Sequence, residues 1–269
     1  MRRLLGWLLI AALGACGSEV PDAGDELVVR EEAVGLAFFA QGITLTPEGQ
    51  VFLLAGNQVF ERIDGVWNAR WTAERGTQVL EDIVALGEGR FALTTRNMGY
   101  ELDLATGTLT QHFCYVPGDE IREEDPPQTP TPTVEISRSV AYAVDENLLV
   151  ANPQTITDDV LQRPMFSEVA IFDRTSGDEL QFRNLRDADF SAGGLAVLDF
   201  PTLLAGEGSS LVEIDFDTGA KRRFLGLAGL GIAEIEGLVI DRAAGELIVL
   251  DGATQRIVTL DLAQVEAAR

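Results

Sequence analysis

Short apolar segments separated by glycine, aspartate and proline turns recur along most of the chain, and this repetition restricts its fold more than any other feature. One marker is a turn after an apolar segment, as in Asp103–Gly107, Asp173–Gly177 and Asp217–Gly219. A second marker, such as Pro47–Gly49 or Ala243–Gly245, precedes it by about one strand pair. Aspartate opens hairpin turns by accepting backbone N–H groups, and glycine supplies the positive φ that closes them. The pattern therefore predicts successive β-hairpins.

Divided at these turns, the sequence forms five units of short strands. The predicted strands are 42–46, 50–55, 58–63 and 66–72; 81–86, 90–95, 98–103 and 108–113; 138–144, 147–151, 167–173 and 179–184; 193–199, 201–206, 210–215 and 220–225; and 236–240, 246–250 and 255–260. The fifth unit is one strand short, and residues 26–30 supply that strand from the N-terminal side. We therefore predict an all-β fold, a β-propeller of five or six four-stranded blades closed by an N-terminal strand.

A β-sandwich, or two small β domains, is the alternative architecture. Sandwich strands are buried on one face and should alternate between apolar and polar residues. Residues 247–250 and 194–198 are instead apolar throughout, as expected of strands that are covered on both faces. This pattern favours the propeller.

The N-terminus has the features of an export signal. Arg2 and Arg3 precede an apolar run from Leu4 to Leu13, which is too short to span a bilayer. The next residues complete a Leu13-Gly14-Ala15-Cys16 segment that resembles the bacterial lipobox, which implies cleavage before Cys16 and acylation of that cysteine. An ordinary signal peptide with a chance cysteine is the alternative.

This resemblance sets the predicted domain organisation. Residues 1–15 are a signal peptide, residues 16–26 are the lipidated cysteine with a flexible tether, and residues 27–269 are the propeller. The lipid bilayer is then a partner through acylated Cys16. Gly17, in place of an aspartate, implies retention at the outer membrane, facing the periplasm.

Composition excludes several functions. The chain has 43 acidic and 20 basic residues, a formal net charge of −23, which repels nucleic acid and anionic lipid headgroups. No nucleic-acid partner is expected. His112 is the only histidine, which argues against zinc centres with several histidine ligands. With Cys16 assigned to the lipid, Cys114 has no partner for a disulfide within the chain.

Three segments near the C-terminus carry a family resemblance. Residues 233–241, 245–251 and 256–261 resemble one blade of the NHL-repeat, SdiA-regulated and gluconolactonase-like propellers, and residues 41–45 with 49–53 are a weaker copy. In gluconolactonase-like propellers, a glutamate before glycine at the start of an inner strand binds a metal ion. That resemblance implies a metal ligand at Glu236, which precedes Gly237.

Polar residues also collect near strand ends around the predicted channel. These are Gln41, Glu81, Asp82, Asn97, Asn152, Glu234, Glu236 and Asp251. Oxygen ligands suit Ca²⁺ or Mg²⁺, so we predict a calcium site from Glu236, Asp251, Asn152, Asn97 and Asp82. The alternative is that they are polar strand ends of a very acidic protein. No catalytic residue is assigned.

Two long insertions, residues 117–133 and 152–167, are predicted as loops on one face of the propeller, the face where propellers usually bind ligands. They suggest a lid or a partner surface, although loops there also tolerate insertion. The sequence favours a binding or scaffolding module for an envelope protein or a glycan. The alternative is a Ca²⁺-dependent hydrolase of lactone or phosphoester type.

Overall fold

A computed structural model describes residues 20–95, 98–114, 133–143, 147–157, 164–185 and 190–269. Its strands in chain order are β1 (Val28–Ala33); β2 (Ala40–Leu45), β3 (Val51–Ala55), β4 (Gln58–Ile63) and β5 (Val66–Thr72); β6 (Asp82–Gly87), β7 (Arg90–Thr94), β8 (Met98–Asp103) and β9 (Thr108–Cys114); β10 (Thr133–Ala143), β11 (Leu148–Thr157), β12 (Pro164–Asp173) and β13 (Glu179–Asn184); β14 (Leu195–Asp199), β15 (Thr202–Glu207), β16 (Ser210–Asp215) and β17 (Ala220–Gly226); and β18 (Ile235–Asp241), β19 (Glu246–Asp251) and β20 (Arg256–Asp261). Short 3₁₀ helices span Asp25–Leu27 and Ala228–Leu230, and helix α1 spans Leu262–Ala267.

The strands form five antiparallel four-stranded sheets, which are the five blades of a β-propeller. Four blades follow the chain order, and the fifth has the order β1-β20-β19-β18. The prediction of an all-β propeller is confirmed, with five blades. The predicted N-terminal closing strand is confirmed too, because β1 pairs with β20 from Val28 opposite Leu260 to Ala33 opposite Arg256.

The first strand of each blade lies innermost. Strands β2, β6, β10, β14 and β18 are neighbours around a central channel, and β18 returns to β2. We call the end of the channel where these inner strands begin the mouth, and the opposite end the base. Turns between second and third strands lie at the mouth, and the other turns within blades lie at the base.

The apolar core lies between neighbouring blades. One cluster packs Phe52 and Leu54 of the first blade against Ile83 and Phe91 of the second. Another packs the first blade against Ile248 and Leu250 of the fifth, across the point where the ring closes. Because each sheet is covered on both faces, strands such as β14 and β19 carry continuous apolar runs, as the sequence pattern indicates.

The predicted aspartate-glycine turns are confirmed at the base. Asp103 Oδ1 accepts hydrogen bonds from the backbone of Ala105 (2.9 Å) and Thr106 (3.0 Å), and Gly107 closes that turn with φ of 72°. The same arrangement recurs at Asp173. In the fourth blade the turn closes at Gly219 as predicted, but Asp215 rather than Asp217 accepts the backbone N–H of Thr218 (2.9 Å). These backbone bonds lower the pKa of each of the three aspartates below its usual value.

The third blade differs from the prediction. The segment 152–167 was expected to be a loop, but β11 continues to Thr157 and β12 begins at Pro164. Backbone pairing of β11 continues along both of its neighbours. Thr133 of β10 lies opposite Thr157, and Pro164 of β12 lies opposite Ile156. Pairing with β10 and β12 satisfies the backbone groups that a loop would leave to solvent. Most of the other insertion, 117–133, lies outside the described residues.

The segment before β1 is held against the propeller. Ala23 donates a backbone hydrogen bond to Gly226 (2.8 Å), and Gly226 donates to Pro21 (2.8 Å). The predicted tether, residues 16–26, is therefore hydrogen-bonded to β17 in part of the range that the structure describes. In the described part of the chain, no helix has the length and apolar character to cross a membrane.

Candidate functional site

The inner strands begin irregularly at the channel mouth. The pairing register shifts between Ala40 and Gly42 in β2, between Ser137 and Val140 in β10, and between Ile235 and Gly237 in β18. Such β-bulges place an extra residue in one strand and redirect its side chain. Two predicted polar residues, Gln41 and Glu236, therefore lie at bulges beside the mouth.

Asp82 joins three blades at the mouth. Its side chain is 3% exposed. Its Oδ1 accepts from the backbone N–H of Ile83 (2.8 Å), and its Oδ2 accepts from Val140 of the third blade (2.9 Å). On the other side a Cβ atom at Gly42 would lie 2.3 Å from Oδ1, so only glycine leaves room for this carboxyl group.

The surroundings of Asp82 favour its neutral form. Burial raises the pKa of this carboxyl group well above its usual value, the two backbone hydrogen bonds oppose that shift, and the charges of Glu236 and Glu81 add to it. Glu236 is half-buried, with its side chain packed over Gly252. The structure therefore brings Asp82, Glu81 and Glu236 together at the mouth.

Asn152 bridges the third and fourth blades. Its Nδ2 donates to Ser167 Oγ (3.1 Å) and to the carbonyl oxygen of Glu168 (2.6 Å), while its Oδ1 accepts from the backbone N–H of Ala192 (2.8 Å). Because the amide is buried and makes three hydrogen bonds, the structure gives this predicted metal ligand a role in joining blades.

Asp251 closes a turn in the fifth blade. Its Oδ1 accepts from the backbone of Glu234 (3.2 Å), its Oδ2 accepts from the hydroxyl of Thr254, and Arg256 Nη2 lies 3.6 Å from Oδ2. By register, Asp251 occupies the position of Asn152 in the third blade: each follows the first residue that pairs beyond the bulge. The sequence shows that both residues are polar but not that they occupy equivalent positions, because the equivalence depends on the bulges.

The calcium prediction stays a prediction. Of the five predicted ligands, the structure brings Asp82 and Glu236 together, gives Asn152 and Asp251 other partners, and leaves Asn97 outside the described residues. Calcium takes six to eight oxygen ligands, and these two carboxyl groups do not complete such a set. Within the described ranges, no three His, Cys, Asp or Glu residues form a group that could hold a metal ion.

The channel itself is small. Its cavity has a volume of about 160 Å³ and is lined by all five inner strands, mostly with aliphatic side chains such as Ile43, Ile83, Val140, Leu195 and Leu238. Sites for small organic ligands usually measure about 300–1,000 Å³. The channel has room for a few water molecules but not for a substrate of ordinary size.

The largest departure from a regular propeller is at the mouth end of the third blade. Strands β10, β11 and β12 have 11, 10 and 10 residues, whereas the strands of the other blades have five to seven. We call residues 133–137, 153–157 and 164–167 the third-blade extension. At about 3.3 Å per residue, five extra residues project roughly 16 Å beyond the sheet. The sequence predicted an insertion here but not the strands that it forms.

Comparison with known proteins supports the fold. No protein-family model matches the sequence, and no curated protein matches it either. Among solved structures, the chain is similar to a glutaminyl cyclase from Myxococcus xanthus, with a TM-score of 0.56, 13% identity and coverage of 87% of this chain and 94% of that one. It is also similar to a gluconolactonase from Xanthomonas campestris (TM-score 0.51, 14% identity, 90% and 97% coverage).

A luciferin-regenerating enzyme is similar as well, with a TM-score of 0.53, 12% identity and coverage of 87% of this chain and 76% of that one. All three neighbours are named as enzymes, and identities this low establish a shared propeller fold only.

Proposed function

We propose that this chain is an envelope-anchored lipoprotein whose propeller binds a protein or glycan partner through the third-blade extension. The extension carries the proposal, because it adds a paired three-stranded surface at the mouth end without contributing to the ring. The small volume of the channel supports a role on the outer surface, since a substrate of ordinary size does not fit inside.

The extension offers backbone groups to a partner. Within the described residues, β13 pairs with β12 only from Glu168 onward, so residues 164–166 form a strand edge beyond that pairing. An extended peptide segment can add to such an edge through main-chain hydrogen bonds. A protein partner would then be recognised by strand addition.

Anchoring rests on the Leu13-Gly14-Ala15-Cys16 segment. Because residues 21 and 23 are hydrogen-bonded to Gly226, only a few residues separate Cys16 from the propeller. Acyl chains on Cys16 would therefore hold the domain close to the bilayer, at the outer membrane facing the periplasm, as the residue after the cysteine implies.

In-cell photo-crosslinking tests the binding role. A photoreactive amino acid at Thr155, in the extension, should yield a discrete higher-mass adduct in the envelope. The same amino acid at Thr72, an exposed residue on the outer strand of the first blade, is the matched control and should yield none. Equal labelling from both positions, or from neither, would overturn the assignment of the extension as the partner surface.

Metabolic labelling tests the anchor. Cells given an alkyne fatty acid should label the wild-type chain, and Cys16→Ser should lose the label and leave the membrane fraction. Cys114→Ser is the control, because it removes the other cysteine and should keep the label. Retention of label in Cys16→Ser would refute acylation at Cys16.

The alternative function is a Ca²⁺-dependent hydrolase of lactones or phosphoesters. The observation in its favour is the proximity of Asp82 and Glu236 at the mouth, where a cation would offset their mutual repulsion. A calcium site needs further oxygen ligands, and Asn97 is one of the ligands that the sequence predicts. Calcium-dependent hydrolysis of a lactone or of p-nitrophenyl phosphate by the purified protein, lost in Glu236→Gln, would support this function over binding alone.

A further inference from the structure

A second cavity lies far from the channel, on the outer side of the propeller between the second and third blades. It has a volume of about 560 Å³, within the range of small-molecule sites. Every side chain that lines it is polar or charged, namely Arg90, Glu101, Asp103, Thr106, Thr108, Thr110, His112, Arg174 and Thr175. We call this cavity the lateral cleft.

The wall of the lateral cleft is held by an ion-pair network. Glu101 lies in the middle of β8, and its Oε1 is 3.5 Å from Arg90 Nη1 while its Oε2 is 3.3 Å from Arg174 Nη2. His112 Nε2 lies 2.6 Å from the carbonyl oxygen of Arg174 and donates to it, which ties the turn after β12 to strand β9. The second and third blades are therefore fixed relative to each other at this point.

Arg174 is largely buried within this wall. Its side chain is 11% exposed, and its buried Nη2 lacks a hydrogen-bond partner among the described residues, although it lies beside Glu101. Buried guanidinium N–H groups are usually hydrogen-bonded to protein, water or ligand. Here the carboxylate of Glu101 offsets the charge of the guanidinium group, and the buried Nη2 is not accessible from the cleft.

The neighbouring strand of the same sheet presents hydroxyl groups, because Thr110 pairs with Glu101 and Thr108 with Asp103. Thr108, Thr110 and His112 are two residues apart along β9, so their side chains share one face of the strand. Both threonines are exposed and line the cleft, and Thr106 continues the row into the preceding turn. A threonine hydroxyl both donates and accepts hydrogen bonds.

The mixture of groups selects one class of ligand. An apolar molecule would leave the charged walls without partners, and a polyanion would be repelled by Glu101, Asp103 and the net charge of −23. A sugar hydroxyl donates one hydrogen bond and accepts others, which matches a wall of guanidinium donors, carboxylate acceptors and threonine hydroxyls. We infer that the lateral cleft binds an oligosaccharide.

This inference deepens the proposed binding role and rests on it, but it uses different residues. A glycan array carrying bacterial and plant oligosaccharides, probed with the detergent-solubilised full-length protein, is the test. The wild-type chain should bind at least one immobilised oligosaccharide. The double variant Thr108→Val/Thr110→Val should weaken that binding about tenfold or more, because two hydrogen bonds are lost while side-chain volume is kept.

Thr72→Val is the matched control, since it removes an exposed hydroxyl from the outer strand of another blade and should bind like the wild type. Absence of binding to every oligosaccharide, or equal binding by the double variant, would overturn the inference. Crosslinking from Thr155 reports on the extension alone, so failure of the cleft and failure of the extension are distinguishable.

Discussion

The fifth and third blades share the same four-strand pattern, but the fifth closes the ring and the third extends beyond it. The fifth blade joins the two ends of the chain, with β1 paired to β20, and its strands have six or seven residues. Five of the six residues of β19 are buried. The third blade is one continuous segment, and three of its strands continue past the ring.

This difference shows where the fold tolerates change. In the fifth blade, added length would displace the strands that close the ring, so size and packing are restricted. In the third blade, extra residues at the mouth end project from the ring and pair with one another. Substitutions in the closing strand and core should therefore have larger effects on stability than substitutions at the surface of the third blade.

Removal of the closing strand should have the largest effect. Deleting residues 20–33 removes β1, the buried Leu27 and the ion pair between Arg30 and Glu246 (2.8 Å). We expect the melting temperature to fall by about 10 °C or more, since several kcal/mol are lost. Addition of a peptide of residues 20–33 should restore part of it. A deletion variant that melts like the full chain would refute closure by β1.

The next largest difference in stability is expected when one leucine is truncated in each of the two blades. Leu250 in β19 is 0% exposed, and Leu250→Ala should lower the free energy of unfolding by about 2–5 kcal/mol, because it creates a cavity in the core. Leu180, on the outer strand of the third blade, is 57% exposed, and Leu180→Ala should change it by less than about 0.5 kcal/mol. Urea unfolding measures the change in the free energy of unfolding for both variants. Similar values would refute the difference in packing between the two positions.

Asn152 marks the boundary between ring and extension. Asn152→Ala leaves the N–H of Ala192 without its acceptor and should lower the free energy of unfolding by about 1–3 kcal/mol. Asn68→Ala, on the outer strand of the first blade, should lower it by less than about 0.5 kcal/mol. Wild-type stability in Asn152→Ala would indicate that this amide does not join the blades.

The smallest effect is expected at the base of the third blade. Hydrogen bonds from the backbone of Ser176 and Thr175 lower the pKa of Asp173, so its contribution to stability is present above its unfolded pKa of about 3.9 and is lost as pH falls through the lower folded value. Asp173→Asn should therefore be less stable than wild type at pH 7, with a smaller difference near pH 3. A pH-independent difference would contradict this.

Much of the fold follows from the sequence because turns and strands are local. The predicted strands of the first, second and fourth blades match the observed ones to within two residues, because local turn residues such as Asp103 and Gly107 fix the hairpins. The extension was missed because residues 152–167 do not follow the short-strand pattern. A long hairpin is stabilised by its cross-strand partner, which one segment of sequence does not identify.

The candidate sites were harder to predict. Asp82, Glu236, Asn152 and Asp251 were singled out as polar residues near strand ends, and the structure does place them at the mouth. Their different partners depend on β-bulges and on neighbouring blades, neither of which a residue type reveals. The lateral cleft combines residues from two blades about 60 positions apart, such as His112 and Arg174, and local patterns do not show such pairs.

Thermal melting with calcium tests most directly whether function lies on the outer surfaces or in the channel. The protein would be melted in EDTA and in excess Ca²⁺, alongside Glu236→Gln. If binding on the outer surfaces is the function, Ca²⁺ leaves the melting temperature of both proteins unchanged. A stabilisation of about 2.7 kcal/mol at 100 times the dissociation constant, seen as about 5–11 °C in the wild type and lost in Glu236→Gln, would contradict that account and favour a calcium-dependent enzyme.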